Sequence, residues 1–471
     1  MDLRPIDDPD VLAGYLTDAS NVPGHAEGLF RPRTTEEVAD IVRHCQQAGT
    51  PLTVTAARTS TTAAAVPQGG LLLSMEGLTE LGPITETHAT AQAGLRLGEF
   101  QTAIEQTGRF YPPDPTSRHD CTLGASIACN ASGARSFRYG ATRKWVEALT
   151  VVLPTGLVRR FTRGDPVPVD WPIPKWPVPP IKTSAGYEPP RDAVDLFVGQ
   201  EGTLGIITEA TVRLTDLPTD VVGLVAFFED RESVVRFVEH ARAHARANAK
   251  GPLSPRALEY LDQHCLDFVR QADVEVPPNA RAALFCEQEI TLDDTVHLEA
   301  WLEALAEHDA LVDDTLLATD EPSRVRLHRL RHAIPAGINE RIVRNGMPKV
   351  GTDLAVPDDG LSAMMEAYEA SPIEHVLFGH IGDNHLHLNL LPKTNEELTT
   401  ARAFYDDLAK QALSLGGTVS AEHGIGKLKR RQLAWMVGPH VMAQFRALKQ
   451  HLDPAEVLGR GNVLVSPNEQ V

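Results

Sequence analysis

A short run of alternating residues constrains this chain more than any other feature. From His385 to Leu390, polar and apolar side chains alternate strictly, and His385, His387 and Asn389 occupy the polar positions. A period of two is typical of a strand with one buried face and one polar face. The pattern predicts a strand on which two imidazoles and a carboxamide share a face while three leucines pack into a core. His380 lies just before it, in a Gly-rich approach that could bend it back toward His387.

A glutamate and a fourth histidine follow about thirty-five residues after His387. Glu422 and His423 precede Gly424 in a Gly-rich turn ahead of a helix-like segment. Imidazoles and one carboxylate form the borderline ligand set that suits zinc, iron or manganese. A single histidine on a strand is more often a structural residue with satisfied hydrogen bonds. Three histidines together with a Glu-His pair favour a metal or catalytic centre instead.

Length, charge and cysteine content limit the remaining choices. The chain has 471 residues, so we expect two or three domains. Its net charge of −19 argues against nucleic acid and anionic membrane surfaces as partners. The apolar runs are too short to cross a bilayer, the acidic N-terminus lacks a signal-peptide core, and five cysteines form no C-x-x-C pair. A cytoplasmic protein is therefore expected.

Periodicity and capping residues predict several regular elements. Thr34 to Glu37 form a capping box for a helix over 34–48, which Gly49 and Pro51 end. Residues 51–55, 70–75 and 146–153 are predicted to be strands. Nine prolines between Asp165 and Arg191 exclude helix and central strand, so we expect an ordered surface excursion or a mobile loop there.

Two runs of small residues, 56–65 and 122–134, lie in the first third of the chain. Small side chains let a ligand approach the backbone, and free N–H groups in such a loop can bind phosphate. For the first run, composition alone favours an ordinary loop. The second run is long, and few purely structural segments need so many small residues.

Taken in order, the motifs resemble the FAD-linked oxidases of the vanillyl-alcohol oxidase type. Within them the chain is most similar to the group of D-lactate dehydrogenase, glycolate oxidase large subunit and D-2-hydroxyglutarate dehydrogenase. The resemblance covers residues 28–464 and rests on Pro-Pro-Asp-Pro-Thr-Ser, Thr-Leu-Gly-Ala-Ser-Ile-Ala, Gly-Gln-Glu-Gly-Thr-Leu-Gly-Ile-Ile, Gly-His-Ile-Gly-Asp-Asn-His-Leu-His and Ala-Glu-His-Gly-Ile-Gly.

The resemblance implies an α+β fold. A two-subdomain FAD-binding domain would cover 1–217, with a Pro-rich insertion at 166–190. A cap with an antiparallel sheet would cover 218–416 and include helices over 231–249 and 396–415. A C-terminal helical segment, 417–471, would return to the FAD domain.

The resemblance also implies the positions that contact FAD. They are Arg58, Thr59, Ser60, Thr61, Pro113, Asp114, Gly124, Ala125, Ser126, Ser132, Gly133, Glu201, Gly202, Gly205 and Ile207. The loop at 58–61 departs from the family, because Ala, Thr and Ser replace most of its glycines, and alanine resists a positive φ. The family's usual Asn-Pro-Gly-Lys appears here as residues 459–462, Gly-Arg-Gly-Asn. Since no His or Cys stands at a position for a covalent link, FAD is expected to bind non-covalently.

For the reaction centre, the resemblance implies a divalent metal, most readily zinc with iron or manganese as alternatives. Its ligands would be His380, His387 and Glu422, with His385 as a fallback ligand or a residue that orients the others. His423 matches the family's base, whose near-neutral intrinsic pKa suits proton transfer. Asn389 would contact the substrate.

A cation must also fix the substrate carboxylate. Arg331 matches the family position and is favoured, although its neighbouring arginines could equally form a solvated basic helix face. Lys349 is a second candidate. The family's Thr and Lys that read a second carboxylate are replaced by Pro335 and Gly351, which favours a monocarboxylic acid.

The function implied is FAD-dependent oxidation of a D-2-hydroxy acid such as D-lactate or glycolate, with electrons passed to a quinone, a cytochrome or an electron-transferring flavoprotein. A homodimer is possible. The alternatives are a flavoenzyme of the same fold acting on another alcohol or an alkyl-glycerone-phosphate-like substrate, and a non-catalytic electron-transfer subunit.

Overall fold

The structure is a computed structural model that describes residues 4–272, 275–290, 294–318 and 321–465. For Asp294, Glu321, Arg324, His328, Arg331 and His332 it describes the backbone alone.

The strands form four sheets, one of which is wholly parallel. Their bounds are β1 Gly28–Phe30, β2 Leu52–Thr55, β3 Leu71–Ser74, β4 Leu81–Ile84, β5 His88–Gln92, β6 Arg109–Phe110, β7 Val146–Val152, β8 Val158–Thr162, β9 Ile206–Arg213, β10 Thr215–Asp216, β11 Val221–Phe228, β12 Pro255–Leu261, β13 Ala282–Glu289, β14 Leu316–Leu317, β15 Val350–Gly351, β16 Leu354–Ala355, β17 His375–His380 and β18 His385–Leu390.

Helices connect and cover these sheets. Their bounds are α1 Pro9–Ala13, α2 Thr35–Ala48, α3 Leu97–Glu105, α4 Leu123–Ala128, α5 Ser136–Tyr139, α6 Ala193–Phe197, α7 Arg231–Ala247, α8 Gln263–Gln271, α9 Asp294–Glu307, α10 Glu321–Asn345, α11 Leu361–Glu369, α12 Asn395–Ser414 and α13 Arg430–Leu452, the last kinked at Gly438. Within the described ranges, no helix is both long and apolar enough to span a bilayer.

Two sheets organise the N-terminal half. A parallel sheet has the order β1-β3-β2, and an antiparallel sheet has the order β4-β5-β9-β7-β8. Helix α2 packs between them and begins as predicted, because the Thr34 hydroxyl accepts a hydrogen bond from the amide of Glu37 at 3.1 Å. Gly49 ends the helix in the left-handed conformation.

A second antiparallel sheet dominates the C-terminal half. Its order is β14-β11-β13-β12-β17-β18-β15, and β16 also pairs with β18. Helix α7 packs on it through buried Val234, Val235 and Val238, as its sequence pattern predicted. Helices α8 and α10 contribute to a separate apolar cluster of this half.

The histidine-rich stretch is a β-hairpin. The predicted strand is confirmed, and Leu386, Leu388 and Leu390 are buried on one face. As expected, the chain bends His380 back toward His387, with ring centroids 5.4 Å apart. The bend is the turn of the hairpin: His380 ends β17 and pairs directly with His385. Gly379 makes room for this packing, since a Cβ there would lie 2.9 Å from the His387 ring.

The Pro-rich segment, an insertion in the N-terminal half, packs against the C-terminal half. Residues 166–190 contain neither helix nor strand, as predicted. The Ser184 amide donates to the Ser420 carbonyl at 2.9 Å, and the ring of Tyr187 lies 5.0 Å from that of Phe445. The chain end returns to the first sheet, where the Leu52 amide donates to the Val457 carbonyl at 2.8 Å. The proposed domain limits of 217 and 416 stay a prediction.

Candidate active site

Four side chains from the hairpin and a distant loop converge on one point. Each of His380, His385, His387 and Glu422 offers one ligand atom, and these atoms all lie within 4.8 Å of one another. Nε2 of His380 and Nε2 of His387 are both 3.4 Å from Oε1 of Glu422. An ion held tetrahedrally at about 2.1 Å separates its ligands by about 3.4 Å. The arrangement therefore fits a single metal ion.

The far side of each of the two ligand imidazoles is fixed by a hydrogen bond. Nδ1 of His380 lies 2.7 Å from Oε1 of Glu259, and Nδ1 of His387 lies 3.2 Å from the carbonyl oxygen of Thr352. Such partners set the tautomer and aim the opposite nitrogen at a metal. Burial opposes the charged form of His380, but the carboxylates of Glu259 and Glu422 together outweigh it and raise the pKa of His380 to about 10. A metal would have to displace this proton.

Three buried imidazole nitrogen atoms at this point make no hydrogen bond in the described part of the chain. They are Nε2 of His380 and both Nδ1 and Nε2 of His385, and each faces a carboxylate of Glu422 or Asp353. Buried polar atoms are nearly always paired, and each exception calls for an explanation. A bound cation supplies that explanation here, so the residues present fit the metal that the sequence implied.

The carboxylate of Glu422 divides its oxygens between two environments. Oε1 faces the imidazoles, whereas Oε2 lies 2.8 Å from Nζ of Lys182 and 3.3 Å from the Ser132 hydroxyl, which donates to it. Burial alone would raise the pKa of Glu422. Lys182 and the imidazoles outweigh burial and hold that pKa well below its ordinary value. Glu422 is thus anionic at neutral pH.

One buried aspartate supports the start of the loop that carries Glu422 and His423. The carboxylate of Asp353 accepts hydrogen bonds from the amides of Glu422 at 3.1 Å and His423 at 3.0 Å. It also accepts from Nζ of Lys429 at 2.6 Å, and it lies 2.9 Å from Nε2 of His385. Asp353 therefore links the hairpin to the loop.

A second buried carboxylate supports the end of the same loop. Glu201 accepts from the amides of Ile425 at 2.8 Å and Gly426 at 2.7 Å. Burial raises the pKa of Glu201 to about 7. Gly424 has a φ of +75°, and a Cβ there would approach the Glu201 carboxylate to 2.9 Å. The predicted cofactor residue Glu201 thus binds the loop, and a contact with FAD stays a prediction.

His423 lies beside the cluster and remains partly open. Its side chain is 35% exposed, against 7% for Glu422, and its ring stacks on that of His387 with centroids 5.4 Å apart. Nδ1 faces Oδ2 of Asp353 at 3.6 Å, and Nε2 faces Oε1 of Glu422 at 3.7 Å. Burial lowers the pKa of His423 to about 4. The imidazole is therefore neutral at pH 7 and able to accept a proton.

The small-residue loop 58–61 reaches this centre through its neighbour Thr62. The Thr62 hydroxyl donates to the carbonyl of His423 at 3.5 Å, and the Thr62 carbonyl accepts from the amide of Lys427 at 2.9 Å. Among the described residues, the amides of Thr59, Ser60 and Thr61 donate to no protein atom. A run of unpaired amides is typical of an anion-binding loop, so the loop fits a pyrophosphate despite its missing glycines.

Among the other predicted FAD positions, several polar groups are already paired within the protein. The amide of Gly124 donates to the Ala93 carbonyl, and the hydroxyl of Ser126 donates to the Leu123 carbonyl. Asp114 pairs with Arg135, and Gly202 has a positive φ of 73°. The remaining positions are the buried Pro113, Gly205 and Ile207, the half-buried Ala125, Arg58, which bonds Glu76, and Gly133, which lies against the Asp114 carbonyl.

Asn389 is hydrogen-bonded to Lys349, which directly precedes the neighbouring strand β15. Nζ of Lys349 donates to Oδ1 of Asn389 at 2.6 Å. Gly351, which pairs with Asn389 in the sheet, has no side chain to fill this space. Burial of the amine lowers the pKa of Lys349, although the residue as a whole keeps an exposed surface. Both observations fit a lysine that lines an open cavity. Arg331 lies in α10, and its side chain is outside the described part.

Sequence reasoning missed three supporting residues. Asp353, Lys182 and Glu259 contact Glu422 or His380 from segments 69 to 240 positions away along the chain. Lys182 ends the Pro-rich segment, and Asp353 follows the strand edge that holds Lys349. No local periodicity marks either of them. The one signal in the sequence was that each of these charged residues stands next to apolar residues, which indicates that it could be buried.

Two family descriptions match this chain. Residues 26–162 match "FAD binding domain", and residues 217–463, more than half of the chain, match "FAD linked oxidases, C-terminal domain".

Curated relatives match over nearly the full length. D-lactate dehydrogenase of Anaerostipes hadrus is 31% identical over 96% of this chain and 93% of its own. Glycolate oxidase subunit GlcD of Bacillus subtilis is 29% identical over 93% and 88%. D-2-hydroxyglutarate dehydrogenase of Xanthomonas citri pv. viticola is 30% identical over 92% and 88%.

Solved structures share the fold. The p-cresol methylhydroxylase structure superposes with a TM-score of 0.72 at 15% identity, covering 99% of this chain and 95% of that one. An alkyldihydroxyacetonephosphate synthase superposes with a TM-score of 0.68 at 16% identity, covering 96% and 81%. The predicted α+β fold, an FAD-binding domain with an antiparallel-sheet cap, is confirmed.

Proposed function

Since the chain belongs to the FAD-linked oxidase family, as its motifs predicted, we propose that it oxidises a D-2-hydroxy acid to the 2-oxo acid by hydride transfer to FAD. D-lactate or glycolate is the substrate type we favour. A separate acceptor, such as a quinone, a cytochrome or an electron-transferring flavoprotein, would take up the electrons.

One observation carries this proposal. His380, His387 and Glu422 converge with mutual distances suited to one metal, and His423 lies against them on the same loop as Glu422. A metal site beside a neutral imidazole is what activation of a hydroxyl group requires. The unpaired amides of the 58–61 loop lie next to the same loop, which supports FAD beside the reacting carbon.

When bound, FAD accepts the hydride from the carbon that bears the hydroxyl, and a divalent ion polarises the hydroxyl oxygen. His423 takes the hydroxyl proton. Both ring nitrogens of His423 face a carboxylate, Nδ1 that of Asp353 at 3.6 Å and Nε2 that of Glu422 at 3.7 Å. A metal ion held by Oε1 of Glu422 would leave Asp353 to favour the proton on Nδ1, with Nε2 as the acceptor. Stacking on His387 holds the ring in place. Such a base contributes about 10²- to 10⁴-fold to the rate.

Recognition of the substrate carboxylate falls to Lys349 and Arg331. Lys349 has its amine on Asn389, two residues along β18 from the metal ligand His387. In the described part of the chain, no acidic side chain pairs with this amine, so its charge is available to a substrate anion. Arg331 stays a prediction from its motif.

Substrate size follows from two replacements. Pro335 and Gly351 stand where the relatives that read a second carboxylate are expected to carry Thr and Lys. Gly351 has no side chain to bind a distal carboxylate, which supports a short monocarboxylic acid over 2-hydroxyglutarate.

Flavin reduction tests the proposal directly. The purified holoenzyme is mixed anaerobically with D-lactate, L-lactate, glycolate and D-2-hydroxyglutarate, and the absorbance of oxidised flavin is followed. We expect bleaching by D-lactate or glycolate and little by the L-enantiomer. A flavin that none of these acids bleaches, but that dithionite reduces, would overturn the proposed substrate class.

A further inference from the structure

We propose a second divalent-metal site, suited to zinc, where helix α7 meets the end of helix α9. His240, Glu307 and His308 would bind the ion, and His244 stacks on His240 beside them. This site is separate from the His380–Glu422 cluster and does not depend on the proposed oxidation.

Geometry brings these side chains together from two helices. His240 and His244 are one turn apart on α7, and their rings stack with centroids 4.4 Å apart. The ring of His308, just past the end of α9, lies 4.9 Å from that of His240. One ligand atom from each of His240, Glu307 and His308 lies within 4.8 Å of the others. Small side-chain rotations suffice to close this set around an ion.

The state of the imidazoles also fits a metal. Nε2 of His308 is buried and has no hydrogen-bond partner among the described residues. Two or three imidazoles with one carboxylate form a zinc ligand set.

A third cluster of histidines and a carboxylate shows, by contrast, how such residues look when they only hold the backbone in place. Asp262, His264 and His375 also lie close together. However, Oδ1 of Asp262 accepts from the Cys265 amide at 2.8 Å and Oδ2 accepts from the Leu377 amide at 2.9 Å. Both oxygens therefore cap backbone groups. Within the described residues, neither His240 nor Glu307 makes any hydrogen bond of this kind.

An ion at this site would fasten the two helices together. Phe237 of α7 already packs on Trp301 of α9, with ring centroids 5.7 Å apart, and the ring of His308 lies 6.1 Å from that of Phe237. The ion would add a link at the end of this contact. Because it binds the folded cap and not separated helices, it would raise the unfolding temperature.

Zinc stoichiometry of the FAD-loaded protein tests the site. Chelator-treated protein is titrated with Zn²⁺ by calorimetry as wild type, as His240→Ala/His308→Ala and as the matched control His264→Ala/His375→Ala. We expect the first variant to bind one equivalent fewer than wild type and the control to bind as many as wild type. Thermal unfolding without metal checks that each variant folds. Glu307→Gln provides a milder variant that should weaken binding of the same zinc equivalent.

The outcomes separate this site from the catalytic one. If wild type binds one equivalent and His240→Ala/His308→Ala binds none, the second site stands while the catalytic metal centre fails. If Glu422→Gln removes one equivalent and His240→Ala/His308→Ala removes the other, both stand. Zinc binding by His240→Ala/His308→Ala that equals that of the control in number and affinity overturns the second site.

Discussion

Two groups of residues flank the loop at 420–426. We call the group that contains Asp353 and Glu201 the supporting side, and the group that contains His380, His385 and His423 the open side. The two sides differ in how fully their polar groups are hydrogen-bonded. On the supporting side, Asp353 and Glu201 each accept at least two backbone amide hydrogen bonds. On the open side, Nε2 of His380 and Nδ1 of His385 have no partner among the described residues, and His423 is the most exposed group. Buried polar atoms are nearly always paired, so these unpaired nitrogens support the proposed metal site.

The comparison also separates two roles. Residues on the supporting side hold the loop through hydrogen bonds, whereas residues on the open side are the ones we propose to contact metal, substrate or flavin. Changes on the open side should therefore abolish chemistry while leaving the loop intact. Changes on the supporting side should weaken metal binding and turnover together.

The largest effect is expected at the open side for His423→Ala. Removing the base should lower kcat by about 10²- to 10⁴-fold while FAD and metal contents stay at wild-type levels. Steady-state kinetics, flavin absorbance and metal analysis measure the three quantities. Turnover within threefold of wild type would show that another group accepts the proton.

Removal of the metal should have the second-largest effect on activity. Chelation of the wild-type enzyme should reduce its activity at least as far as Glu422→Gln does. Addition of Zn²⁺ or Mn²⁺ should then restore activity in the wild-type enzyme but not in Glu422→Gln. Activity is compared before chelation, after it and after metal addition. A chelated enzyme that stays fully active would refute metal assistance, even if FAD oxidises the substrate.

On the supporting side, Glu201→Gln should weaken metal affinity and kcat by about 10- to 100-fold, because an amide group faces the donors of Ile425 and Gly426 with only one acceptor oxygen. Lys449→Met is a matched control, since it breaks a buried pair with Asp453 away from the loop. It should lower the unfolding temperature without changing metal affinity. Equal metal affinities in both variants would show that Glu201 does not place the loop.

A smaller effect is expected for Lys349→Met. Loss of one charged hydrogen bond to the substrate carboxylate should raise KM by about 10- to 100-fold with a lesser change in kcat. Arg331→Met is measured beside it. Oxalate binding, followed by its effect on the flavin spectrum, should weaken in parallel. If Lys349→Met leaves both KM and oxalate binding unchanged, the carboxylate is bound elsewhere.

The smallest expected effect is that of pH. The low pKa of His423, about 4, keeps its imidazole neutral at higher pH, so protonation of this base should lower kcat/KM only as pH falls toward 4. Glu201, whose pKa burial raises to about 7, should add a separate decrease between pH 8 and 6 that is absent from Glu201→Gln. A limb near 6.5, the ordinary value for histidine, that persists in Glu201→Gln would show that the His423 ring is not desolvated during the reaction.

Local patterns predicted the parts of this molecule that local physics determines. The alternation at 385–390 and the Thr34 cap each concern residues a few positions apart, and both were confirmed. The return of His380 toward His387 was also expected, but its place at the end of a second strand, β17, was not, because Gly379 makes room for the His387 ring only in the folded hairpin. Asp353 and Glu201 act on residues 70 and 224 positions away. Such contacts are set by tertiary packing, which periodicity and capping signals do not encode.

A crystal of the holoenzyme measured at the zinc absorption edge tests the central claim most directly. The account predicts an anomalous difference peak bonded to His380, His387 and Glu422, with the flavin ring and His423 on its open side. A structure that contains FAD and zinc but has no peak there, or in which these imidazoles turn away from Glu422, would contradict it.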